Sequence, residues 1–156
     1  MDLGTDPDRT PMQLSTLSVD ECLRRLATQE IGRLAVVVDH YPQVFCVNYR
    51  LDDFVVVFRA RLGGRLIGAH HKNVGFEVDN LDSARRTGWT VMVRGMAEDV
   101  TDRQGDLVTE RSRRLAVEPW VPGEHPRIIR IIPAKITGRE LGPVRLEGAT
   151  DLPGGR

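Results

Sequence analysis

The chain has 156 residues, enough for one domain with a single sizeable core. Its hydrophobic fraction of 40% is that of an ordinary globular protein, and 22 basic residues balance 22 acidic ones. That balance argues against a general binder of nucleic acid or of anionic membrane, which carries a basic excess, so neither is expected as a partner.

Residues 1–16 are polar, contain Pro7 and Pro11 and show no periodicity, which predicts a flexible N-terminal arm. Ser18-Val19-Asp20-Glu21 has the form of a capping box, with Ser18 at the helix start and Glu21 reaching back to it. Val19, Cys22, Leu23 and Leu26 then recur at helical spacing, giving a short amphipathic helix that ends near Gln29. From Ile31 to Val38 the chain is β-branched and apolar, a buried strand. A turn at Asp39-His40-Tyr41-Pro42 leads to a second strand, Gln43 to Leu51. Asp52-Asp53 leads to a third, Phe54 to Ala60. Connections this short predict an antiparallel meander.

Gly64 to His71 can form a short helix, and Asn73 to Val78 a fourth strand. Asn80 to Thr87 is polar and turn-like. Trp89 to Val100 is a fifth strand, with Trp89, Val91 and Val93 on one face and Thr90, Met92 and Arg94 on the other. Thr101-x-x-Gln104 has capping-box form and predicts a helix to about Val117. Pro119 to Gly123 is a rigid loop around Trp120. Arg127 to Thr137 is a sixth strand, in which Pro133 marks an edge or a bend. The tail from residue 142 is expected to be loose. The expected architecture is mainly β: a six-stranded antiparallel barrel with a few short flanking helices.

Arg59, Arg61, Gly63, Gly64 and Arg65 gather at the end of the third strand, where a helix begins. Guanidiniums beside the free N–H groups of a helix start make a phosphate cradle. A hairpin end with solvated arginines accounts for the same residues equally well. Asn48 stands inside an apolar strand, where asparagine is disfavoured. Its amide serves either to bond a planar heterocycle or to tie down a neighbouring loop, the second being slightly favoured. Trp89 fits core packing, whereas Trp120, in its proline-flanked loop, fits a subunit interface better.

His40, His70, His71 and His125 have no metal-site companions at recognisable spacing, so no metal is expected. Cys22 and Cys46 read as two buried, reduced thiols. No nucleophile elbow, P-loop or Rossmann fingerprint occurs, and no carboxylate pair stands out. Chemistry, if present, would be carried by a cofactor. With no leader-like or membrane-spanning apolar run, a soluble cytoplasmic protein is expected.

An ordered set of segments carries a family resemblance: Ile31-Gly32-Arg33-Leu34-Ala35-Val36, Val47-Asn48-Tyr49, Val56-Val57-Phe58-Arg59, Gly75-Phe76-Glu77-Val78-Asp79, Thr87-Gly88-Trp89-Thr90-Val91, Val93-Arg94-Gly95-Met96-Ala97 and Pro119-Trp120. In this order and spacing the chain resembles the pyridoxamine 5′-phosphate oxidase-like FMN-binding split barrels, in their actinobacterial form. The similarity spans about residues 17–141, leaving 1–16 as an arm and 142–156 as a tail. It implies a homodimer with FMN in clefts at the subunit interface. Val47, Asn48 and Tyr49 would lie along the isoalloxazine, and Phe58, Arg59 and Ala60 along the ribityl chain and phosphate. Gly64 and Arg65 would close on the phosphate, with Trp89 and Trp120 approaching the cofactor or the interface from the other subunit.

Two positions depart from the pattern. Many relatives have threonine or serine at Ala60, whose hydroxyl can bond phosphate, and lysine at Arg65. The implied function is an FMN-dependent oxidoreductase that transfers hydride to or from a small substrate. The alternatives are an F420-dependent reductase and a cofactor-poor barrel used as a ligand-binding or sensor protein. Pyridoxamine phosphate oxidase activity itself is a weaker option, because further polar positions for a second phosphorylated substrate are not evident.

Overall fold

Alternating apolar and polar residues give this chain its strands, and short polar links turn them back on one another. The computed structural model describes residues 11–60, 72–115, 118, 120 and 127–144. The elements are β1 (Met12–Leu17), α1 (Val19–Leu26), β2 (Ile31–Val38), β3 (Tyr41–Asp52), β4 (Val55–Ala60), β5 (Lys72–Asp82), β6 (Thr87–Asp99), α2 (Leu107–Leu115) and β7 (Arg127–Pro143). The strand order is β1-β7-β4-β3-β2-β5-β6, and β6 also pairs with β7. Every strand but β1 therefore belongs to a closed antiparallel ring, the expected split barrel. β2, β3 and β4 form the expected meander.

β1 is an addition to the sequence expectation. Where an irregular arm was expected as far as residue 16, Met12 to Leu17 pairs with Pro143 to Gly138 of β7. β7 is correspondingly longer than predicted, and it is not an edge. Pro133 sits at a bend: β6 and β7 pair as Arg94↔Lys135 and then as Gly95↔Pro133, leaving Ala134 as an extra residue. A Cβ on Gly95 would lie 2.2 Å from the Ile132 carbonyl oxygen, so the bulge admits only glycine there. The β2–β3 link is also tighter than predicted. Asp39 and His40 both have positive φ, and pairing resumes at Val38↔Tyr41.

The barrel interior holds Leu34, Val36, Val47, Tyr49, Val56, Phe58, Phe76, Val78, Val91, Val93 and Ile131. The Tyr49 and Phe76 rings meet edge to face, 5.1 Å between centroids. Gly32 makes room for Phe76, whose ring would lie 2.2 Å from an added Cβ. α1 seals one side of the barrel with Cys22 and Leu26 fully buried. Its capping box forms as expected: the Glu21 amide donates to Ser18 Oγ at 3.2 Å, and the Ser18 amide to Glu21 at 2.7 Å.

α2 starts later than predicted. Asp106, not Thr101, caps it, accepting from the Val108 and Thr109 amides at 2.8 and 3.0 Å. Thr101 instead donates through its hydroxyl to Asp99. A second cluster on the outer face of β4 holds Val55, Val57, Val100 and Ile128. α2 is fastened to the same end of the sheet by Arg111, which pairs with Asp52 at 2.6 Å. Among the described residues, no helix is long and apolar enough to cross a membrane.

Candidate functional site at the outer end of β3 and β4

Strand alternation divides the predicted site in two. Val47 and Tyr49 on β3, and Phe58 and Ala60 on β4, are buried in the core. Asn48 and Arg59 lie on the opposite face and are half-buried. Each stands one residue beyond the last β3–β4 pair, Tyr49↔Phe58.

The inward residues are committed to packing. The Tyr49 hydroxyl donates to the Leu26 carbonyl at the end of α1, and its backbone N–H to Glu30 at 2.9 Å. Burial pushes the phenol well above its usual range, so it stays neutral and acts as a tether. Ala60 is buried opposite Arg127 of β7 and offers no hydroxyl.

The outward residues reach to the stretch that follows α2. Arg59 follows Val55 and Val57 along the outer face of β4. Its Nη1 donates to Glu118 Oε1 at 2.5 Å and its Nη2 to the Arg113 carbonyl at 3.3 Å. That carbonyl belongs to the last turn of α2, where the helix gathers partial negative charge. The Arg59 Nε is buried, with no hydrogen-bond partner among the described residues. The Arg59 side chain is 24% exposed and Glu118 73%, so this ion pair opens to solvent on the carboxylate side. Asn48 accepts from the Trp120 amide at 3.2 Å through Oδ1. This bond links β3 to Trp120 in the stretch after α2.

The two tryptophans are far from equivalent. Trp89 is buried in the core, with the Arg25 guanidinium 5.8 Å from its ring centroid, whereas Trp120 is 72% exposed. Gly64 and Arg65, together with Arg61, Gly63 and the helix predicted from Gly64 to His71, lie outside the described residues. Of the predicted phosphate cradle, Arg59 alone is described. Glu118 and the Arg113 carbonyl escaped the sequence expectation, since both lie more than fifty residues from Arg59 and neither carries a local motif.

The cysteines are both free, but only Cys22 is buried; Cys46 is exposed, against expectation, because it lies on the outward face of β3. Among the described residues no group of histidine, cysteine or carboxylate side chains could hold a metal ion. A charged network underpins the β6–β7 end of the sheet. Arg127 bonds Asp99 at 2.6 Å and Asp102 at 3.0 Å, and Glu98 bonds Arg103 and Arg130. Burial pushes the Asp99 carboxyl up, but the Thr101 hydroxyl and Arg127 outweigh it and hold the carboxyl below its usual value.

Three comparisons bear on this arrangement. The family model described as pyridoxamine 5′-phosphate oxidase matches residues 18–140. An uncharacterized protein of Mycobacterium tuberculosis is 34% identical over 128 residues, 78% of this chain and 82% of its own. The FAD binding protein from Mycobacterium smegmatis superposes with a TM-score of 0.67 at 31% identity, over 81% of this chain and 97% of that one. A FAD-binding protein from Mesorhizobium loti shares the fold, with a TM-score of 0.63 at 23% identity over 85% of this chain and 99% of that one. The closed ring, its bulged β7 and a match that runs from α1 to the end of the sheet lead to one conclusion: the chain belongs to the pyridoxamine 5′-phosphate oxidase family of split barrels.

Proposed function

We propose that this protein binds a flavin nucleotide at the outer end of β3 and β4 and uses it for redox chemistry on a small substrate. The observation that carries the proposal is Arg59. Its guanidinium is fixed by a helix-terminal carbonyl, keeps a buried Nε without a partner among the described residues, and already holds one exposed carboxylate, that of Glu118. A carboxylate in that position marks where a phosphate oxygen can sit. Arg59 would hold the phosphate, and Asn48 would keep the Trp120 loop alongside it. The flavin, when bound, supplies the hydride or electron transfer. The protein supplies orientation, charge neutralisation and exclusion of water.

FMN is the cofactor we favour. FAD shares its isoalloxazine, ribityl chain and first phosphate, and the Mycobacterium smegmatis relative is a FAD binding protein. F420 is the alternative. A homodimer with the cofactor at the interface is part of the proposal. Exposed Ile31, Val37, Val44, Met92 and Met96 on the outside of β2, β3 and β6 support it as a face for a second copy. The rival reading is a cofactor-poor ligand sensor, favoured by Ala60, which offers phosphate no hydroxyl.

The test is titration of the purified protein with FMN, FAD and F420 separately, followed by fluorescence, with Arg59→Ala alongside. Saturable binding of one of them, weakened in Arg59→Ala with the fold unchanged, supports the proposal. Binding of none removes the redox reading and leaves the sensor. Binding that ignores Arg59→Ala moves the phosphate seat elsewhere.

A further inference from the structure

Arg59 makes two side-chain bonds of unequal permanence. Glu118 is 73% exposed, so water or an incoming anion can take its place, whereas the Arg113 carbonyl belongs to the last turn of α2 and stays. With an anion on the guanidinium, the direction in which Arg59 points is set by where that turn of α2 is held.

Packing does little to hold it. Leu107 and Val108 are exposed, and the fully buried positions of α2 are Thr109 and Ser112, both small and polar. A short helix with so little apolar burial relies on polar bonds for its place. Arg113 supplies them at the C-terminal end. Its Nη2 donates to the Thr101 and Arg103 carbonyls at 2.8 and 2.6 Å, and its Nη1 to Glu110 at 2.8 Å. Thr101 is itself fixed to the sheet: its hydroxyl accepts from the Ile128 amide at 2.8 Å and donates to Asp99 at 2.6 Å. Ile128 of β7 is the register partner of Arg59 on β4. The links therefore close on themselves. From Arg59 the circuit crosses the sheet to Ile128, passes through Thr101 to the Arg113 guanidinium, and returns from the Arg113 carbonyl to the Arg59 guanidinium. Arg113 makes the last two links, holding the turn with its side chain and Arg59 with its backbone.

We propose that Arg113 is a positioning residue for the anion seat. By clasping the last turn of α2 to the β6–α2 turn, it fixes the Arg59 guanidinium in the orientation that receives a phosphate. The phosphate rests on the flavin reading above; the fixing of Arg59 does not, and the two are measured separately.

The first measurement needs no ligand. The Arg59 Nε–H is buried with no partner among the described residues, so it should give a slowly exchanging side-chain signal in a proton–nitrogen correlation spectrum, identified by its loss in Arg59→Lys. Arg113→Ala should abolish the slow exchange and weaken FMN binding about three- to tenfold. Arg113→Lys, which keeps a donor for the Thr101 and Arg103 carbonyls, should restore most of both. Made in Arg59→Ala, Arg113→Ala should bring no further loss of affinity, since it acts through Arg59. Arg111→Ala removes the bond from α2 to Asp52, which lies outside the circuit. It should lower stability and leave the Arg59 signal and FMN affinity as they are. Slow exchange that persists in Arg113→Ala, or that is missing from the unmodified protein, would overturn the proposal. So would its loss in Arg111→Ala, because any loosening of α2 would then suffice. Slow exchange lost in Arg113→Ala with FMN affinity unchanged, or with no FMN bound at all, supports Arg113 as the residue that orients Arg59 and removes the phosphate from Arg59 instead.

Discussion

The inward and outward residues of β3 and β4 sit side by side in sequence yet do different work. Inward, Tyr49 and Phe58 have no exposed surface, and they hold the barrel and α1 together. Outward, Asn48 and Arg59 remain half-exposed and spend their polar groups on the chain after α2. A segment that reads in sequence as one strip is thus two surfaces, one buried and one open, separated by a single-residue alternation. Changes to the first surface should show up as lost stability. Changes to the second should show up as lost binding in a protein that still folds.

The largest effect expected from breaking this division is Phe58→Ala, which empties a fully buried ring site and should cost about 3–5 kcal/mol in denaturant unfolding. Tyr49→Phe keeps the ring but removes the side-chain donor to the Leu26 carbonyl, which then keeps only the Gln29 amide at 3.4 Å. A loss of about 0.5–1.5 kcal/mol is expected, with α1 showing faster hydrogen exchange than the sheet. An unchanged stability would mean the hydroxyl is not the tether described.

Asp99 tests the same inside face through pH. Its folded carboxyl is held below the unfolded value of about 3.9, so it stabilises the fold above that pH. The contribution is lost as pH falls through the lower, folded value. Asp99→Asn should therefore be less stable at neutral pH and show a flatter stability profile below about pH 4. The smallest effect belongs to Asn48→Ala, which removes one partly exposed hydrogen bond to Trp120. It should leave the unfolding free energy within about 1 kcal/mol of the original and make the chain around Trp120 more open to limited proteolysis.

What the sequence revealed follows from the range of each signal. The capping box of α1 and the alternation in β6 act over a few residues, and both form as expected. β1 was not legible because five of its six residues are exposed and its partners lie at residues 138–143. It is a strand only because β7 offers it an edge. The Thr101 motif was misleading for a related reason: its hydroxyl is taken by Asp99 within the turn, leaving Asp106 to cap α2. The Glu118 partner of Arg59 was invisible, because nothing local announces a contact made across the fold.

The central claim is that Arg59 is an anion seat for which Glu118 now competes. The direct measurement is FMN affinity in Arg59→Ala and Glu118→Gln, read by flavin fluorescence beside the unmodified protein. The two changes should move affinity in opposite directions: at least about tenfold weaker without the guanidinium and severalfold tighter without the competing carboxylate. If FMN binds and neither change alters its affinity, the phosphate does not sit at Arg59, and the account of this site is wrong.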